Sequence, residues 1–404
     1  MIEIILETSK RLIDAVPEGM HRFLFDAFSM EERLNGLVGP RGVGKTTLLL
    51  QYLREKRGAP GEAVYAAADH IFFNRTGLLE FVRELHLHDG TKFFVFDEVH
   101  KYSGWEQELK NIYDSFPEVH VAFSGSSSLA LQRGRHDLSR RAALSHLPGL
   151  SFREFLNFRT GAAHACIKFE DLLANPSGVS GELARIPRVA GLFRDYLASG
   201  YYPFFLEGGG HFFEKLRSVV EKSIHEDIAA NYSLRTESLP NFKRMLAFLA
   251  TIPPGGVNIH KMATNLGIDD KTVAHYLEIL QETGLVRPVS AGARGHGALR
   301  RTGKVYLDNT SLMHAVCEGL GQGMDLGTMR ELFFVQSVEN AGLKVQLSGK
   351  GGDFQIGENL FEVGGANKRR GQLPATDSNE FVVKDGILVG GRRTIPLYLF
   401  GFLY

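Results

Sequence analysis

Short apolar runs alternate with amphipathic segments through the first third of the chain. Leu34–Val38 is mostly apolar, Phe93–Phe96 is continuously apolar, and Val64–Ala68 and Val119–Phe123 repeat the pattern. Runs of this length are typical of strands that are buried on both faces of a parallel sheet. The amphipathic segment Thr47–Lys56 follows the first run and is expected to be a helix. The pattern therefore predicts an α/β fold.

A glycine-rich loop joins the first predicted strand to this helix. The eight residues from Gly39 to Thr46 fit the pattern GxxxxGK(S/T) in full. Glycines let backbone N–H groups approach phosphates, and the helix N-terminus adds the positive end of its dipole. In this motif Lys45 reaches the β- and γ-phosphates and the Thr46 hydroxyl ligates magnesium. The sequence predicts a site for ATP and Mg²⁺ whose nucleotide-binding residues are Gly39, Pro40, Arg41, Gly42, Val43, Gly44, Lys45, Thr46 and Thr47.

Two carboxylates follow the strand Phe93–Phe96. Asp97 is expected to hold magnesium, directly or through water, and the adjacent Glu98 can polarise the attacking water. This pair favours a hydrolase over a simple nucleotide kinase. A pair of solvated carboxylates at a strand end is the alternative interpretation.

Serines and arginines downstream could complete the chemistry. Ser124 at the end of Val119–Phe123 is our first candidate for a bond to the γ-phosphate or the water, and Ser126 is the next. Arg140 and Arg141 could stabilise transition-state charge, in the same subunit or in a neighbouring one. A serine-rich turn and a basic surface pair are the respective alternatives. An arginine that acts on a neighbour would require an oligomer.

Four stretches carry a family resemblance. They are Gly39–Thr46, the box Asp97–His100 followed by Trp105, the turn Ser124–Ser127, and Leu147–Phe155, which is similar to the signature PLSFxEF except for Gly149. Together they resemble prokaryotic AAA-type ATPases with a C-terminal domain of unknown function. The resemblance implies a helical lid after the core. It also suggests that Pro203, in a Gly-aromatic-Pro turn, approaches the adenine, although such turns also occur without this role.

The segment Asn258–Val286 has the spacing of a helix-turn-helix. Gly267 makes the turn and Asp269 is expected to cap the second helix. A glycine-rich stretch with no acidic residue follows, Thr283–Leu307, which resembles a basic wing suited to DNA phosphates. The DNA-binding candidates are Lys271, Thr272, His275, Arg294, Arg300, Arg301 and Lys304. Winged helices in ATPases also serve as packing or partner modules, so protein binding stays open.

The C-terminal segment resembles a PD-(D/E)xK nuclease core. Glu331 is expected near the start of an amphipathic helix, Asp353 follows a strand at Lys344–Leu347, and Glu362 lies in a second strand. The lysine that should follow Glu362 by two residues is replaced by Gly364, and Lys368 lies six residues on. These features favour a nuclease-like fold without nuclease activity. The alternative is a migrated site that uses Glu331, Asp353, Glu362 and Lys368 with a metal ion.

Composition bounds the remaining possibilities. The 404 residues have zero formal net charge and only two cysteines, which excludes a disulfide framework and fits a reducing cytosol. No stretch reaches the roughly 18 apolar residues of a membrane span, and the N-terminus lacks the pattern of a secretory signal. We expect a cytoplasmic protein that does not enter membranes.

The expected architecture is a P-loop core, a helical lid, a winged helix-turn-helix and a small nuclease-like α/β domain. Helices are expected at Arg11–Phe28 and Thr76–Leu87. The expected domains are 1–150, 151–240, 241–316 and 317–404. The expected function is an ATP hydrolase that switches DNA affinity. The alternatives are a regulatory ATPase that binds protein partners or itself, and an ATP-gated nuclease.

Overall fold

The computed structural model describes residues 2–56, 61–125, 138, 140–208, 210–229, 232, 234, 236–252, 258–290, 303–349, 351–369 and 379–404. The chain divides into two compact units, Met1–Gly149 and Leu150–Tyr404. None of the described helices combines the length and the apolar character that a bilayer crossing requires.

The first unit is built around a parallel sheet with the strand order β2-β3-β4-β1-β5. The strands are β1 (Leu34–Val38), β2 (Ala63–Ala67), β3 (Phe93–Asp97), β4 (His120–Gly125) and β5 (Ala143–His146). The helices are α1 (Ile2–Ala15), α2 (Lys45–Lys56), α3 (Leu78–Asp89) and α4 (Trp105–Ser115). The predicted α/β fold with a parallel central sheet is therefore confirmed. The edge strand β5 was not predicted, because it lacks the apolar run of the central strands.

The first helix differs from the prediction. Helix α1 ends at Ala15, whereas we expected a helix over Arg11–Phe28. Pro17 explains the difference, because it lacks a backbone N–H and disfavours helical geometry at the preceding Val16. Ser9 of α1 accepts a hydrogen bond from the backbone N–H of Tyr65 at 2.9 Å, so α1 satisfies a backbone donor of the edge strand β2.

The second unit begins with helices. They are α5 (Phe152–Thr160), α6 (Phe169–Ala174), α7 (Pro176–Leu183), α8 (Val189–Asp195) and α9 (Phe212–Lys222), and α8 and α9 each continue into a π-helical turn. Ser151 and Glu154 form a reciprocal capping box that fixes the start of α5. One hydrophobic core extends from Phe152 through to Leu403.

The rest of the second unit combines helices with two sheets. The helices are α10 (Leu239–Thr251), α11 (Ile259–Leu266), α12 (Asp270–Glu282), α13 (Thr310–Gly319) and α14 (Leu326–Asn340). Strands β6 (Val286–Val289) and β7 (Lys304–Leu307) pair antiparallel. A mixed sheet has the order β12-β11-β10-β9-β8, with β8 (Gln346–Leu347), β9 (Phe354–Ile356), β10 (Asn359–Gly364), β11 (Glu380–Lys384) and β12 (Thr394–Pro396).

Helix α14 also differs from its prediction. It begins at Leu326, five residues before Glu331, because Asp325 accepts the backbone N–H of Thr328 as its N-cap. Most of the helix from Thr328 to Val338 is buried, so it is a core helix and not an amphipathic one.

Candidate nucleotide-binding site

Backbone geometry explains the glycines of the loop between β1 and α2. A Cβ on Gly39 would lie 2.1 Å from the carbonyl oxygen of Leu147. Gly42 and Gly44 have φ angles of 84° and 95°, in the left-handed region that favours glycine. Helix α2 begins directly after the loop at Lys45. Its first backbone N–H groups and the positive end of its dipole therefore face the loop.

The Lys45 side chain folds over this loop. Its ammonium donates to the carbonyl oxygens of Gly39 and Pro40, each at 2.9 Å. The residue is only 5% exposed. These bonds hold a positive charge at the loop, where the motif places the phosphates of a nucleotide.

Asp97 accepts hydrogen bonds from three hydroxyl groups. Its Oδ2 accepts from Thr46 at 2.6 Å and from Tyr65 at 2.9 Å. Its Oδ1 accepts from Ser124. The donors come from α2, β2 and β4, so the carboxylate at the end of β3 is fixed from both sides. Hydrogen bonds to an ionised acceptor are among the stronger ones in proteins.

The oxygens of Thr46 and Asp97 fit a magnesium ion. Hydroxyl and carboxylate oxygens are ligands of the kind that Mg²⁺ prefers, and these two lie close enough to contact one ion. In the described part of the chain, no group of three or more His, Cys, Asp and Glu side chains could hold a metal by itself.

Sequence reasoning missed Tyr65. The sheet register pairs Tyr65 of β2 with Val95 of β3, so Tyr65 and Asp97 lie on the same face of the sheet. Burial and then the charge of Asp97 raise the pKa of Tyr65 well above its ordinary value, so the phenol stays protonated and donates. A hydroxyl-bearing side chain within an otherwise aliphatic strand was the one available signal.

Glu98 adopts a backbone conformation that is uncommon for its residue type. Its φ of 55° and ψ of 39° lie in the left-handed region, which costs about 1–3 kcal/mol and occurs often at functional sites. The carboxylate lies 3.7 Å from His100 Nε2 and 3.8 Å from Lys101 Nζ. Burial lowers the pKa of Lys101, but its bond to Asp69 and the charge of Glu98 raise it overall. The lysine is therefore a cation beside Glu98.

Arg22 supports the loop from a distant part of the sequence. Its buried guanidinium donates to the carbonyl oxygen of Val43, and to those of Pro148 and Gly149 at 2.8 Å and 3.0 Å. These bonds tie the phosphate-binding loop to the segment after β5. The pattern of apolar positions gave no reason to select this arginine.

The structure places the candidate arginines away from the loop of their own chain. Arg141 donates to Asp114 in the last turn of α4 at 3.1 Å and 3.3 Å. It precedes β5, whose first residue Ala143 pairs near the start of β1. Arg140 and Arg141 therefore lie at the end of the sheet where the strands begin, opposite the loop that follows β1. Ser126 lies outside the described residues.

The turn that contains Pro203 is anchored within the second unit. Pro203 begins a short 3₁₀ helix. The Tyr202 hydroxyl accepts from Asn309 at 3.0 Å and the Tyr201 hydroxyl accepts from Asn340 at 3.3 Å. These bonds explain the aromatic residues of the turn by packing, and the proposed contact of Pro203 with adenine stays a prediction.

Helices α11 and α12 have the expected turn chemistry. Gly267 is left-handed at φ 70°, and Asp269 caps α12 by accepting from the Thr272 backbone N–H. The Thr272 hydroxyl also donates to Asp269 at 2.6 Å, so it belongs to the cap. Lys271 and His275 are exposed. The candidates Arg294, Arg300 and Arg301 lie outside the described residues.

The C-terminal candidates form ion pairs with lysines. Lys368 Nζ lies 2.9 Å from Glu362 and 4.0 Å from Asp353. Lys304 Nζ donates to Glu331 at 2.8 Å. Burial raises the pKa of Glu331, while Lys304 opposes this shift. The structure therefore brings the four predicted nuclease residues together, and it adds Lys304, a predicted DNA contact, to the same cluster.

Lys368 occupies the space above Gly364. A Cβ on Gly364 would lie 2.6 Å from Cδ and 2.8 Å from Cγ of Lys368. Gly364 is the position at which the nuclease motif carries its lysine. The side chain of Lys368 therefore covers this position and delivers its ammonium to Glu362, although it lies four residues further along the chain.

Two protein-family models match parts of the chain, and one of them covers most of the first unit. Residues 31–156 match the family described as the AAA domain, and residues 190–324 match a domain of unknown function, DUF8612. No curated protein matches the chain. With its parallel sheet and loop geometry, the first unit is thus similar to AAA-type P-loop domains.

Several solved structures are similar at low identity. A Walker-type ATPase of Pyrococcus abyssi is 13% identical with a TM-score of 0.42, over 76% of this chain and 99% of that one. AMPPCP-bound DnaA of Aquifex aeolicus is 17% identical with a TM-score of 0.28, over 69% of this chain and 88% of that one.

Proposed function

We propose that this chain is a Mg²⁺-dependent ATP hydrolase. The observation that carries the proposal is the 2.6 Å contact between the Thr46 hydroxyl and the Asp97 carboxylate. It brings together the two side chains that would hold magnesium beside the phosphate-binding loop. Glu98 directly follows Asp97 and supplies a carboxylate at the same end of β3.

Each side chain has a distinct role in this proposal. Lys45 binds the β- and γ-phosphates, and Glu98 orients and polarises the attacking water. Ser124 fixes the positions of Asp97 and Glu98 through its two hydrogen bonds. Bound Mg²⁺, held by Thr46 and Asp97, would neutralise charge on the phosphates during transfer.

An arginine acts between subunits in this account. Arg140 is exposed at the edge of the sheet opposite the phosphate-binding loop. It therefore serves the site of a neighbouring copy, and the active form is an oligomer. Arg141 is paired with Asp114 and has the secondary role of fixing this edge.

Nucleotide binding controls contact between the second unit and duplex DNA. The sequence from Thr283 to Leu307 supports this part of the proposal, because it contains basic residues and no acidic one. The candidates Arg294, Arg300 and Arg301 carry the phosphate contacts. Lys304 contributes less, because its ammonium is paired with Glu331.

A protein partner is the second candidate for this unit, and the charge of α12 favours it. The helix carries the carboxylates Asp270, Glu278 and Glu282 alongside Lys271 and His275. Carboxylates on a helix would oppose its entry into a DNA groove. In this second candidate function, α12 contacts a basic surface of a protein partner, and DNA plays no part.

The C-terminal cluster has a structural role and no nuclease activity. Glu362 and Glu331 are each paired with a lysine at 2.9 Å and 2.8 Å. The ammonium beside each carboxylate repels a second cation and therefore opposes the binding of a catalytic metal. Incubation of the protein with Mg²⁺ or Mn²⁺ and plasmid DNA is expected to give no nicked product, and metal-dependent nicking would reject this assignment.

The test of the proposed function is the ATPase rate with and without duplex DNA, with Lys45→Ala as the control. Turnover that Lys45→Ala abolishes supports the hydrolase, and turnover that survives in this variant rejects the site.

Stimulation of the ATPase rate by DNA supports the proposed control of DNA contact by nucleotide. In that case Arg300→Ala with Arg301→Ala is expected to flatten the salt dependence of DNA binding. A rate indifferent to DNA would favour the protein partner.

A further inference from the structure

The three hydroxyl groups that donate to Asp97 would not have the same role when the site is loaded. Thr46 donates to Oδ2 in this structure, yet the same hydroxyl is the one that the motif directs to magnesium. The Thr46 oxygen would then contact both Asp97 and the ion, whereas Ser124 on Oδ1 and Tyr65 on Oδ2 serve only to hold the carboxylate.

Tyr65 is well placed to keep Oδ2 in position. It is 6% exposed in the sheet, and its backbone N–H is tied to Ser9 of α1. The strand β2 to which it belongs pairs with β3 along five residues, from Ala63 with Phe93 to Ala67 with Asp97. Because the strand holds the phenol on one side of the carboxylate, the hydroxyl stays in place when the ion binds. It therefore sets the direction of Oδ2.

We propose that Tyr65 is a positioning residue for the magnesium site, whose hydroxyl holds Asp97 Oδ2 toward Thr46. This inference rests on the proposed ATP hydrolase and names a residue outside its two sequence motifs. Tyr65 does not contact the nucleotide in this account. It acts through Asp97, so loss of its hydroxyl lowers the affinity for Mg²⁺ and leaves the binding of metal-free nucleotide unchanged.

The first experiment compares Tyr65→Phe with the wild type in two measurements. One is the Mg²⁺ concentration that gives half-maximal ATPase rate at saturating ATP. The other is the affinity for ATP in the presence of EDTA. Because one hydrogen bond to a charged acceptor is lost, the half-saturating Mg²⁺ concentration is expected to rise roughly tenfold. Affinity in EDTA is expected to stay the same.

Tyr102→Phe is the matched control. The Tyr102 hydroxyl donates to the carboxylate of Glu108 at 2.6 Å in the same unit, away from Asp97. This variant removes an equivalent bond, and its Mg²⁺ dependence is expected to equal that of the wild type. If both variants lose thermal stability and neither changes its Mg²⁺ dependence, Tyr65 is only a packing residue and the proposal is wrong.

A double-mutant cycle separates this inference from the proposed hydrolase. The readout is the ratio of ATP affinities with and without Mg²⁺, which needs no turnover, for Tyr65→Phe, Asp97→Asn and the double variant. If Tyr65 acts through Asp97, Tyr65→Phe lowers the ratio in the wild type and has little further effect in Asp97→Asn. Equal effects in both backgrounds would overturn the proposal. A protein that binds ATP with this Mg²⁺ pattern but does not hydrolyse it would reject the hydrolase and retain the role of Tyr65.

Discussion

The hydroxyl of Ser124 accepts a hydrogen bond from the backbone N–H of Glu98 at 3.2 Å. The same hydroxyl donates to Asp97. One serine on β4 therefore joins the residue that would hold magnesium to the residue that would activate water. This arrangement explains how the left-handed backbone of Glu98 is maintained at the end of β3.

Ser124→Ala is expected to lower kcat by roughly 10–100-fold, because it releases both neighbours at once. ATP affinity is expected to change little, since Lys45 and the loop still bind the phosphates. Steady-state kinetics with separate ATP-binding measurements test this. Ser29→Ala is the matched control, because the Ser29 hydroxyl accepts the backbone N–H of Glu31 at 3.0 Å and does not contact Asp97. Equal kcat values in the two variants would contradict the role of Ser124.

Arg140→Ala is expected to abolish any rise of the ATPase rate per chain with protein concentration. The reason is that Arg140 lies opposite the loop of its own chain and can act only on a neighbour. The measurement is the specific rate over a dilution series, with oligomeric state followed by sedimentation. Arg141→Ala is the control and is expected to cost less than about 1 kcal/mol of stability, because its pair with Asp114 is partly exposed. A wild-type rate independent of concentration, equal to that of Arg140→Ala, would count against an intersubunit arginine.

Lys368→Ala is expected to destabilise the second unit by about 2–3 kcal/mol, since it leaves the buried carboxylate of Glu362 without its cation. Denaturant unfolding measures the loss. Gly364→Lys alone is expected to be harmful, because its side chain would meet that of Lys368. Combined with Lys368→Ala, however, it places a lysine in the vacated space and should recover part of the stability. A double variant that is no more stable than Lys368→Ala would show that the two positions are not interchangeable.

The local motifs were predictable because each depends on residues that are adjacent in sequence. The loop Gly39–Thr46 needs glycines at fixed spacing, and Asp97 follows an apolar strand directly. Tyr65 and Arg22 could not be selected in this way. Tyr65 contacts Asp97 across 32 residues, and Arg22 contacts Pro148 across 126. Their roles follow from the order of the strands and from contacts between segments distant in sequence, which a pattern of apolar positions does not specify.

The C-terminal cluster shows a different limit of sequence reasoning. Spacing alone suggested that Gly364 breaks the nuclease motif. In the structure the side chain of Lys368 turns back over Gly364 and reaches Glu362. The helix that carries Glu331 was also placed five residues too late, because its cap Asp325 lies before the apolar run that marked it. A contact between side chains decided the first feature, and a helix cap outside the apolar run decided the second.

The most direct test of ATP hydrolysis at this site is a paired measurement on Glu98→Gln. ATP binding and phosphate release are measured on the same preparation, with wild-type protein alongside. The variant is expected to bind ATP as tightly as the wild type and to release phosphate roughly 10²–10⁴-fold more slowly, because the water has lost its base. Undiminished phosphate release from Glu98→Gln would contradict the assignment of this site as the hydrolytic centre.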